Sequence, residues 1–289
     1  MDAAFKSKAS KALAILAVLL VCFWMWNRYR EDYVQIVIPK HVPRMAEGRN
    51  TKIPKRVIRS FATPIVTGIF RTPVFSTIDQ NPDYEHIFLT DEDCEKFMHH
   101  QFPGRIANAY DKLIPGAYKS DLWRMCYLYK YGGVYLDINK TLMRPFRAVI
   151  NGNFDLVTVI DLGKCCVYQA FFACKAGLPV LALCIDKAVT NIENNYYGVN
   201  SLDITGPLMM GKVFRDYYGE CVNRPGVYRK KGELIKLLYH AGDYNKDEFE
   251  NNIINLNNDK RHRMNAAWKS QTSLPHYGEL YNQRKVYKY

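Results

Sequence analysis

The 289-residue sequence has no C-x-x-C pair, and none of its eight cysteines stands beside a histidine at metal-ligand spacing. These absences argue against a structural zinc site. Glycine and proline are too few, at 17 and 13 residues, for a collagenous or low-complexity chain, and there is no internal repeat. One cysteine lies in an apolar N-terminal segment and seven lie beyond it, which leaves the redox compartment undecided.

Positive charge predominates, with a formal net charge of +12. Nucleic acid, an anionic membrane face and a phosphorylated substrate would all suit such a chain. The basic residues occur in short groups, without a long basic tail. We find no helix-turn-helix, zinc-finger or RNP-like pattern, so nucleic-acid binding is disfavoured. The length fits one sizeable catalytic domain.

Residues 12–26 carry no charge and follow three lysines. This segment is short for a bilayer span, which needs about 20 residues, so a signal peptide is the alternative. No small-residue cleavage pair follows it, and Trp24 and Trp26 cluster at its end, which favours an uncleaved anchor. We therefore predict a single-pass type II membrane protein with a tail (1–11), an anchor (12–26), a stem (27–52) and a catalytic domain (53–289).

Short apolar runs alternate with helical periodicity after residue 53. This alternation predicts an α/β domain whose mixed, mostly parallel sheet is flanked by helices. The predicted strands cover residues 56–61, 134–138 and 154–160, and the predicted helices cover residues 91–100, 117–131 and 179–194.

The most informative stretch is residues 117–140. Gly132 and Gly133 are expected to end its helix, and the strand that follows stops at Asp137. Ligands of open α/β sheets collect beyond the carboxyl ends of strands. Asp137 and Asn139 are alternate residues, so both can supply oxygen to one divalent cation.

The helix before this strand has two predicted faces. Ser120 is expected to cap it, and Asp121 and Arg124 share one face. That pair could be no more than an exposed helical ion pair. The residues at helical spacing that would face the core are Leu122, Met125, Cys126 and Tyr129.

These segments resemble the sugar-binding region of glycosyltransferase family 32. The family includes fungal Golgi mannosyltransferases, inositol-phosphoceramide mannosyltransferases and bacterial or viral polysaccharide enzymes. The resemblance covers most of residues 53–215. It is carried by Asp121-Leu-Trp-Arg124, Tyr131-Gly-Gly-Val-Tyr-Leu-Asp-Ile-Asn139, Ile53-Pro-Lys-Arg-Val-Ile, Asn81-Pro-Asp-Tyr-Glu-His and Thr205-Gly-Pro207.

The resemblance implies a GT-A fold and transfer of a hexose, with retention of configuration, from a nucleotide-diphosphate sugar to a glycan or glycolipid. It places the enzyme in a Golgi or equivalent secretory membrane, or in a host membrane if it is viral. It assigns catalysis and metal binding to Asp137 and Asn139, donor binding to Asp121, Arg124, Tyr118, Gly133, His276 and Trp268, and the acceptor side to Thr205 and Gly206.

Asn139 departs from the family pattern, which has a second carboxylate there. An amide oxygen still binds Mn²⁺ or Mg²⁺ but lacks charge, so metal dependence is open. Lys140 is an alternative source of positive charge for the diphosphate. A catalytically silent subunit is the competing interpretation. The residues give no basis for choosing a nucleophile among Asp161, Asp203 and Asp243.

Overall fold

The computed structural model describes residues 13–24, 26, 32, 34–47, 50–161, 166–219, 224–271 and 275–288. Residues 13–24 of the predicted anchor are helical with exposed apolar side chains, whereas residues 12 and 25 lie outside the described residues. Among the helices described, none combines the length and the apolar character needed to cross a bilayer.

The strands of the described chain form one eleven-stranded sheet and a separate two-stranded ribbon. The ribbon joins β1 to β4. The strand bounds are Gln35–Val37 (β1), His41–Val42 (β2), Arg56–Ser60 (β3), Ile65–Thr67 (β4), Glu85–Leu89 (β5), Gly133–Leu136 (β6), Thr141–Leu142 (β7), Leu156–Asp161 (β8), Cys166–Cys174 (β9), Gly226–Lys230 (β10), Glu233–Ala241 (β11), Tyr244–Lys246 (β12) and Asn252–Asn255 (β13).

The large sheet is mixed. Its order is β2-β5-β3-β6-β9-β8-β11-β12-β13-β7, with β10 also paired to β11. In this sheet β3 pairs in parallel with β5 and β6, and β8 with β11. The other described pairings are antiparallel. The prediction of a mostly parallel sheet is therefore wrong. Strand β9 runs antiparallel between β6 and β8, and β12, β13 and β7 form antiparallel pairs at the end of the sheet.

Helices pack on both sides of this sheet. Successive residues of its strands belong to different core clusters, as a period of two requires: Tyr135 packs with the larger cluster, and Val134 and Leu136 pack with the smaller one on the other face. The helix bounds are Arg71–Gln80 (α1), Asp91–Gln101 (α2), Arg105–Lys112 (α3), Gly116–Tyr131 (α4), Phe146–Val149 (α5), Pro179–Glu193 (α6), Pro207–Tyr218 (α7), Arg261–Gln271 (α8) and Tyr277–Asn282 (α9).

The segment predicted as a stem contributes to the folded unit. Strand β1 pairs with β4, and β2 extends the large sheet beside β5. Ile36 and Ile38 are buried in a core cluster with Phe88. The folded part thus begins before Ile53, because β1 pairs with β4 and β2 pairs with the edge strand β5.

The predicted strands and helices are present with shifted ends. One detail of α4 is corrected: Ser120 does not cap the helix, which begins at Gly116. Ser120 lies one turn inside, where its Oγ accepts a hydrogen bond from Arg124 Nη2 at 2.9 Å.

Gly132 and Gly133 make the turn from α4 into β6, as predicted. Gly132 has φ +63°, and a Cβ there would lie 2.7 Å from the Ala176 nitrogen. Gly133 has φ +108°, and a Cβ there would lie 2.8 Å from the Arg56 carbonyl oxygen. The structure gives Gly133 a backbone role, because only glycine fits between β6 and the Arg56 carbonyl oxygen. The donor contact that the resemblance implied for Gly133 stays a prediction.

We expect Gly133→Ala to lower the free energy of unfolding by about 2 kcal/mol or more, because it combines left-handed strain with a backbone clash. Gly177→Ala is the matched control, since Gly177 also has positive φ, +67°, but a Cβ added there would have no atom within 4 Å. Urea unfolding measures both losses. Equal losses, or weaker nucleotide binding by a stable Gly133→Ala protein, would contradict this assignment.

Candidate functional site

A cavity of about 500 Å³ opens at the carboxyl ends of three adjacent strands, β5, β3 and β6. Ser60 ends β3, Asp91 follows β5 and Asp137 follows β6. The α8 and α9 region forms the opposite wall through Met264, Trp268, His276 and Tyr277, among others. The site therefore lies where parallel strands leave polar groups at one edge of the sheet.

Asp137 and Asn139 both line this cavity. Tyr135 donates a hydrogen bond from its hydroxyl to Asp137 Oδ1 at 2.8 Å. Asn139 Oδ1 is buried and has no hydrogen-bond partner among the residues that the structure describes. Asn257 Nδ2 donates to the Asn139 carbonyl oxygen at 2.8 Å and so fixes the loop. A carboxylate and an unpartnered amide oxygen are suitable ligands for a hard divalent cation, so these residues fit a metal.

Lys140 is directed away from this arrangement. Its side chain is buried, and Nζ donates to the Leu256 carbonyl oxygen at 3.4 Å. Burial lowers its pKa, against the raising effect of Asp137. Lys140 is absent from the described lining of the cavity. The structure therefore does not support Lys140 as the direct counter-charge for a diphosphate.

Arg124 joins two carboxylates at the centre of the site. Its side chain is 11% exposed and lies 3.5 Å from Asp121 and 3.6 Å from Asp137. It also donates to the carbonyl oxygens of Ser120, at 3.1 Å, and Gln169, at 3.0 Å. The Asp121 side chain is only 13% exposed. The predicted pair is thus real, and it is a buried ion pair, not an exposed helical one.

A smaller cavity of about 210 Å³ adjoins the first, and Arg124 and Asp137 line both. Asp121 lines the smaller cavity and accepts a hydrogen bond from Thr205 Oγ1 at 3.1 Å. Burial raises the pKa of Asp121 to about 7, although Arg124 and the Thr205 hydroxyl both lower it. Asp121 therefore keeps its proton to higher pH than an exposed aspartate does.

This pKa predicts a pH-dependent stability difference. Between about pH 4, the ordinary value in an unfolded chain, and pH 7, folded protein keeps a proton that unfolded protein has released. The free energy of unfolding should therefore fall as pH rises through this window, relative to Asp121→Asn. Urea unfolding of both proteins from pH 4.5 to 8.5 tests this, and a difference independent of pH would contradict it.

The predicted acceptor-side residues differ in accessibility. Thr205 is fully buried, and its carbonyl oxygen accepts a hydrogen bond from Gln169 Nε2 at 2.9 Å. Gly206 precedes α7 and lines the smaller cavity. Tyr118 lines the same cavity and donates to the Ser201 carbonyl oxygen at 2.9 Å. Thr205 consequently supports Asp121, whereas Gly206 and Tyr118 reach the cavity.

Trp268 and His276 meet at the larger cavity, with ring centroids 6.3 Å apart. His276 Nδ1 accepts a hydrogen bond from the Gly278 nitrogen at 3.2 Å at the start of α9. The structure thus brings both predicted C-terminal residues to the site. Sequence reasoning missed Phe61, Asp91 and Tyr277. The one usable signal was the position of Asp91 at the start of the helix predicted over residues 91–100.

Two of the three aspartates left open as nucleophiles, Asp203 and Asp243, lie elsewhere. Asp203 is buried and accepts hydrogen bonds from Lys212 at 2.6 Å and Tyr196 at 3.0 Å. Asp243 accepts from Asn258 Nδ2 at 2.9 Å. Neither is among the described residues that line the two cavities. The side chain of Asp161 lies outside the described part of the structure.

Part of the chain is similar to known glycosyltransferases. Residues 70–155 match the family model described as a glycosyltransferase sugar-binding region containing a DXD motif. This match supports the resemblance to glycosyltransferase family 32 that the motifs indicated.

Two relatives come from Schizosaccharomyces pombe. The chain is 33% identical over 99 residues to inositol phosphoceramide mannosyltransferase 3, covering 33% of this chain and 28% of the relative. It is 32% identical over 188 residues to inositol phosphoceramide mannosyltransferase 2, covering 65% and 53%. The chain thus spans about half or less of these relatives. A solved structure, the PaToxG glycosyltransferase, aligns with a TM-score of 0.46 and 18% identity over 57% of this chain and 69% of that one.

Proposed function

We propose that the protein is a retaining, GT-A-like glycosyltransferase that moves a hexose, with mannose the first candidate, from a nucleotide-diphosphate sugar to a glycan or glycolipid. The observation that carries the proposal is a cavity at the strand ends that is lined by Asp137, which lies 3.6 Å from Arg124, and by Asn139, whose Oδ1 has no hydrogen-bond partner in the described part of the chain. The relatives named as mannosyltransferases support the choice of sugar.

The charges of the site support a donor that binds together with a metal ion. Among the described residues that line the two cavities are three aspartates, Asp91, Asp121 and Asp137, and one arginine, Arg124, which pairs with Asp121 and Asp137. A diphosphate would add further negative charge. Asp137 and Asn139 would hold Mn²⁺ or Mg²⁺, whose charge would stabilise the departing diphosphate.

The residues of the chain would orient the reacting groups. In the proposed reaction, the bond between the sugar C1 and the phosphate oxygen breaks, and its electron pair stays on the diphosphate. A hydroxyl oxygen of the acceptor bonds to C1, and its proton passes to the departing diphosphate. Arg124, held by two backbone carbonyls, would fix Asp121 and Asp137 on the sugar and diphosphate sides of the donor.

A donor screen with the full chain tests the proposal. UDP-glucose, UDP-galactose, UDP-N-acetylglucosamine and GDP-mannose are each supplied with Mn²⁺, and both binding and release of the nucleoside diphosphate are measured. We expect saturable binding and slow release for one donor, with turnover rising when a glycan or glycolipid acceptor is added. Binding without turnover would favour the silent subunit, and no binding to any donor would overturn the proposal.

A further inference from the structure

Strand β9 is irregular beside the smaller cavity. In the antiparallel pair of β8 and β9, Thr158 lies opposite Phe172. The next residue of β8, Val159, lies opposite Tyr168. Residues 169–171 therefore have no partner in β8 and form a β-bulge, a feature that re-aims side chains and is common next to active sites.

Gln169 lies in this bulge and lines the smaller cavity. The residue is 3% exposed, and its Nε2 donates a hydrogen bond to the Thr205 carbonyl oxygen at 2.9 Å. Its Oε1 is buried and has no hydrogen-bond partner in the part of the chain that the structure describes. The reversed amide would set Oε1 against the Thr205 carbonyl oxygen, and neither atom could donate. Oε1 is therefore the side-chain atom of Gln169 that remains for a ligand.

The backbone around Gln169 is held by the groups of the site itself. The Gln169 carbonyl oxygen accepts a hydrogen bond from Arg124 Nη1 at 3.0 Å. The Ala170 carbonyl oxygen accepts one from the Asp137 nitrogen at 2.9 Å. A buried acceptor without a donor costs free energy, so a ligand that supplies the donor gains affinity. The bulge thus presents a fixed amide oxygen to an O–H or N–H group of a ligand.

The smaller cavity suits a monosaccharide. Its volume of about 210 Å³ lies below the range of about 300–1,000 Å³ that is usual for larger ligands. Tyr118, Tyr168 and Tyr277 line it with aromatic surface, and Asp121 adds a second acceptor. A hexose has apolar C–H groups on its faces and hydroxyl donors around its edge. It therefore matches both the tyrosine rings and the acceptors.

We propose that Gln169 Oε1 accepts a hydrogen bond from one hydroxyl of the transferred hexose and so helps to select the donor sugar. This inference rests on the proposed function. Arg124 and Asp137 line both cavities, so a diphosphate in the larger cavity would direct its hexose into the smaller one. Gln169 lies beyond residues 70–155, which match the family model, and it is a specificity-determining residue contributed by the bulge of β9.

Calorimetry with Mn²⁺ tests the inference, using GDP-mannose and GDP, or UDP and the UDP-sugar that binds best in the donor screen. Gln169→Met should weaken binding of the nucleotide sugar by about 5-fold or more and change binding of the nucleoside diphosphate little, because the lost hydrogen bond belongs to the sugar. Thr158→Val is the matched control. Thr158 Oγ1 is also buried without a partner among the described residues, but Thr158 is not in the described lining of either cavity. This control should bind both ligands normally.

Monodeoxy forms of the same sugar locate the contact. One of them should bind the parent more weakly by about the same factor and cause little further loss in Gln169→Met. Gln169→Glu keeps an acceptor oxygen and should stay sensitive to that hydroxyl, and it decides the question if thermal melting shows that Gln169→Met is unfolded.

Three results would overturn the inference. One is equal weakening of the nucleotide sugar and the nucleoside diphosphate by Gln169→Met. Another is the same set of deoxy losses in this variant as in the parent, and the third is a Gln169→Glu protein that is insensitive to every deoxy sugar. Absence of any nucleotide binding by the parent would instead overturn the proposed function.

Discussion

Asp137→Asn is expected to reduce glycosyl transfer by about 100-fold or more. Electrostatic stabilisation by a bound metal is worth several kcal/mol, and each loss of about 1.4 kcal/mol is tenfold in rate. Asn139 already supplies an uncharged oxygen, so this variant would leave two amides at the metal. Initial rates measured across a range of Mn²⁺ concentrations give the effect on both the rate and the metal requirement.

Asn139→Asp is the matched control, because it changes the same chemical group in the opposite direction. Its unpartnered Oδ1 becomes part of a carboxylate, so full activity should be reached at lower Mn²⁺ than in the parent. The double variant that exchanges the two residues keeps one carboxylate and should be more active than Asp137→Asn. Equal Mn²⁺ requirements in the parent and Asn139→Asp would contradict a metal role for Asn139.

Lys140→Met separates the metal explanation from the alternative raised by the sequence. The Lys140 ammonium faces the Leu256 carbonyl oxygen, so the variant should keep its dependence on Mn²⁺. Transfer that survives a chelator but disappears in Lys140→Met would show that this lysine provides the counter-charge.

Arg124→Ala is expected to destabilise the folded protein by about 3–5 kcal/mol, since removing one partner of a buried pair leaves uncompensated charge. The change would unpair Asp121 and Asp137 and leave the Ser120 and Gln169 carbonyls without their donor. The loss of stability should accompany the loss of donor binding. Equilibrium unfolding in urea measures the former.

Two variants make this result interpretable. Arg124→Lys keeps the charge but not the fork of donors, so it should recover only part of the stability. Arg105→Ala removes a solvent-exposed arginine that pairs with Asp186 and Glu193, and it should change stability little. If Arg124→Ala loses no more stability than Arg105→Ala, Arg124 forms no more than an exposed helical ion pair.

Much of the site could be predicted because it is local in sequence. Helix periodicity places Asp121 and Arg124 on one face, the two glycines end the helix, and Asp137 and Asn139 follow the next strand. These features depend on residues within about one or two turns of each other, where backbone sterics decide the conformation. The structure accordingly brings Asp121, Arg124 and Asp137 together.

The features of the site that the sequence did not predict depend on the order of strands in the sheet. Asp91 and Asp137 line the same cavity because β5, β3 and β6 are neighbours in the sheet. Local sequence patterns do not predict that strand order. Strand β9 is buried along nearly its whole length, so its sequence lacks the alternation that would reveal a strand or its direction. The contact of Thr205 with Asp121 joins residues 84 positions apart. Tertiary packing decides such contacts.

The central claim is that the end of β6 binds the donor diphosphate through a metal. Calorimetric titration of GDP and UDP into the full chain, with Mn²⁺ and again with EDTA, tests it most directly. We expect saturable binding of at least one nucleotide with Mn²⁺, a large loss of affinity in EDTA and an equal loss in Asp137→Ala. Nucleotide binding of the same affinity in all three conditions would contradict the claim and place the diphosphate elsewhere.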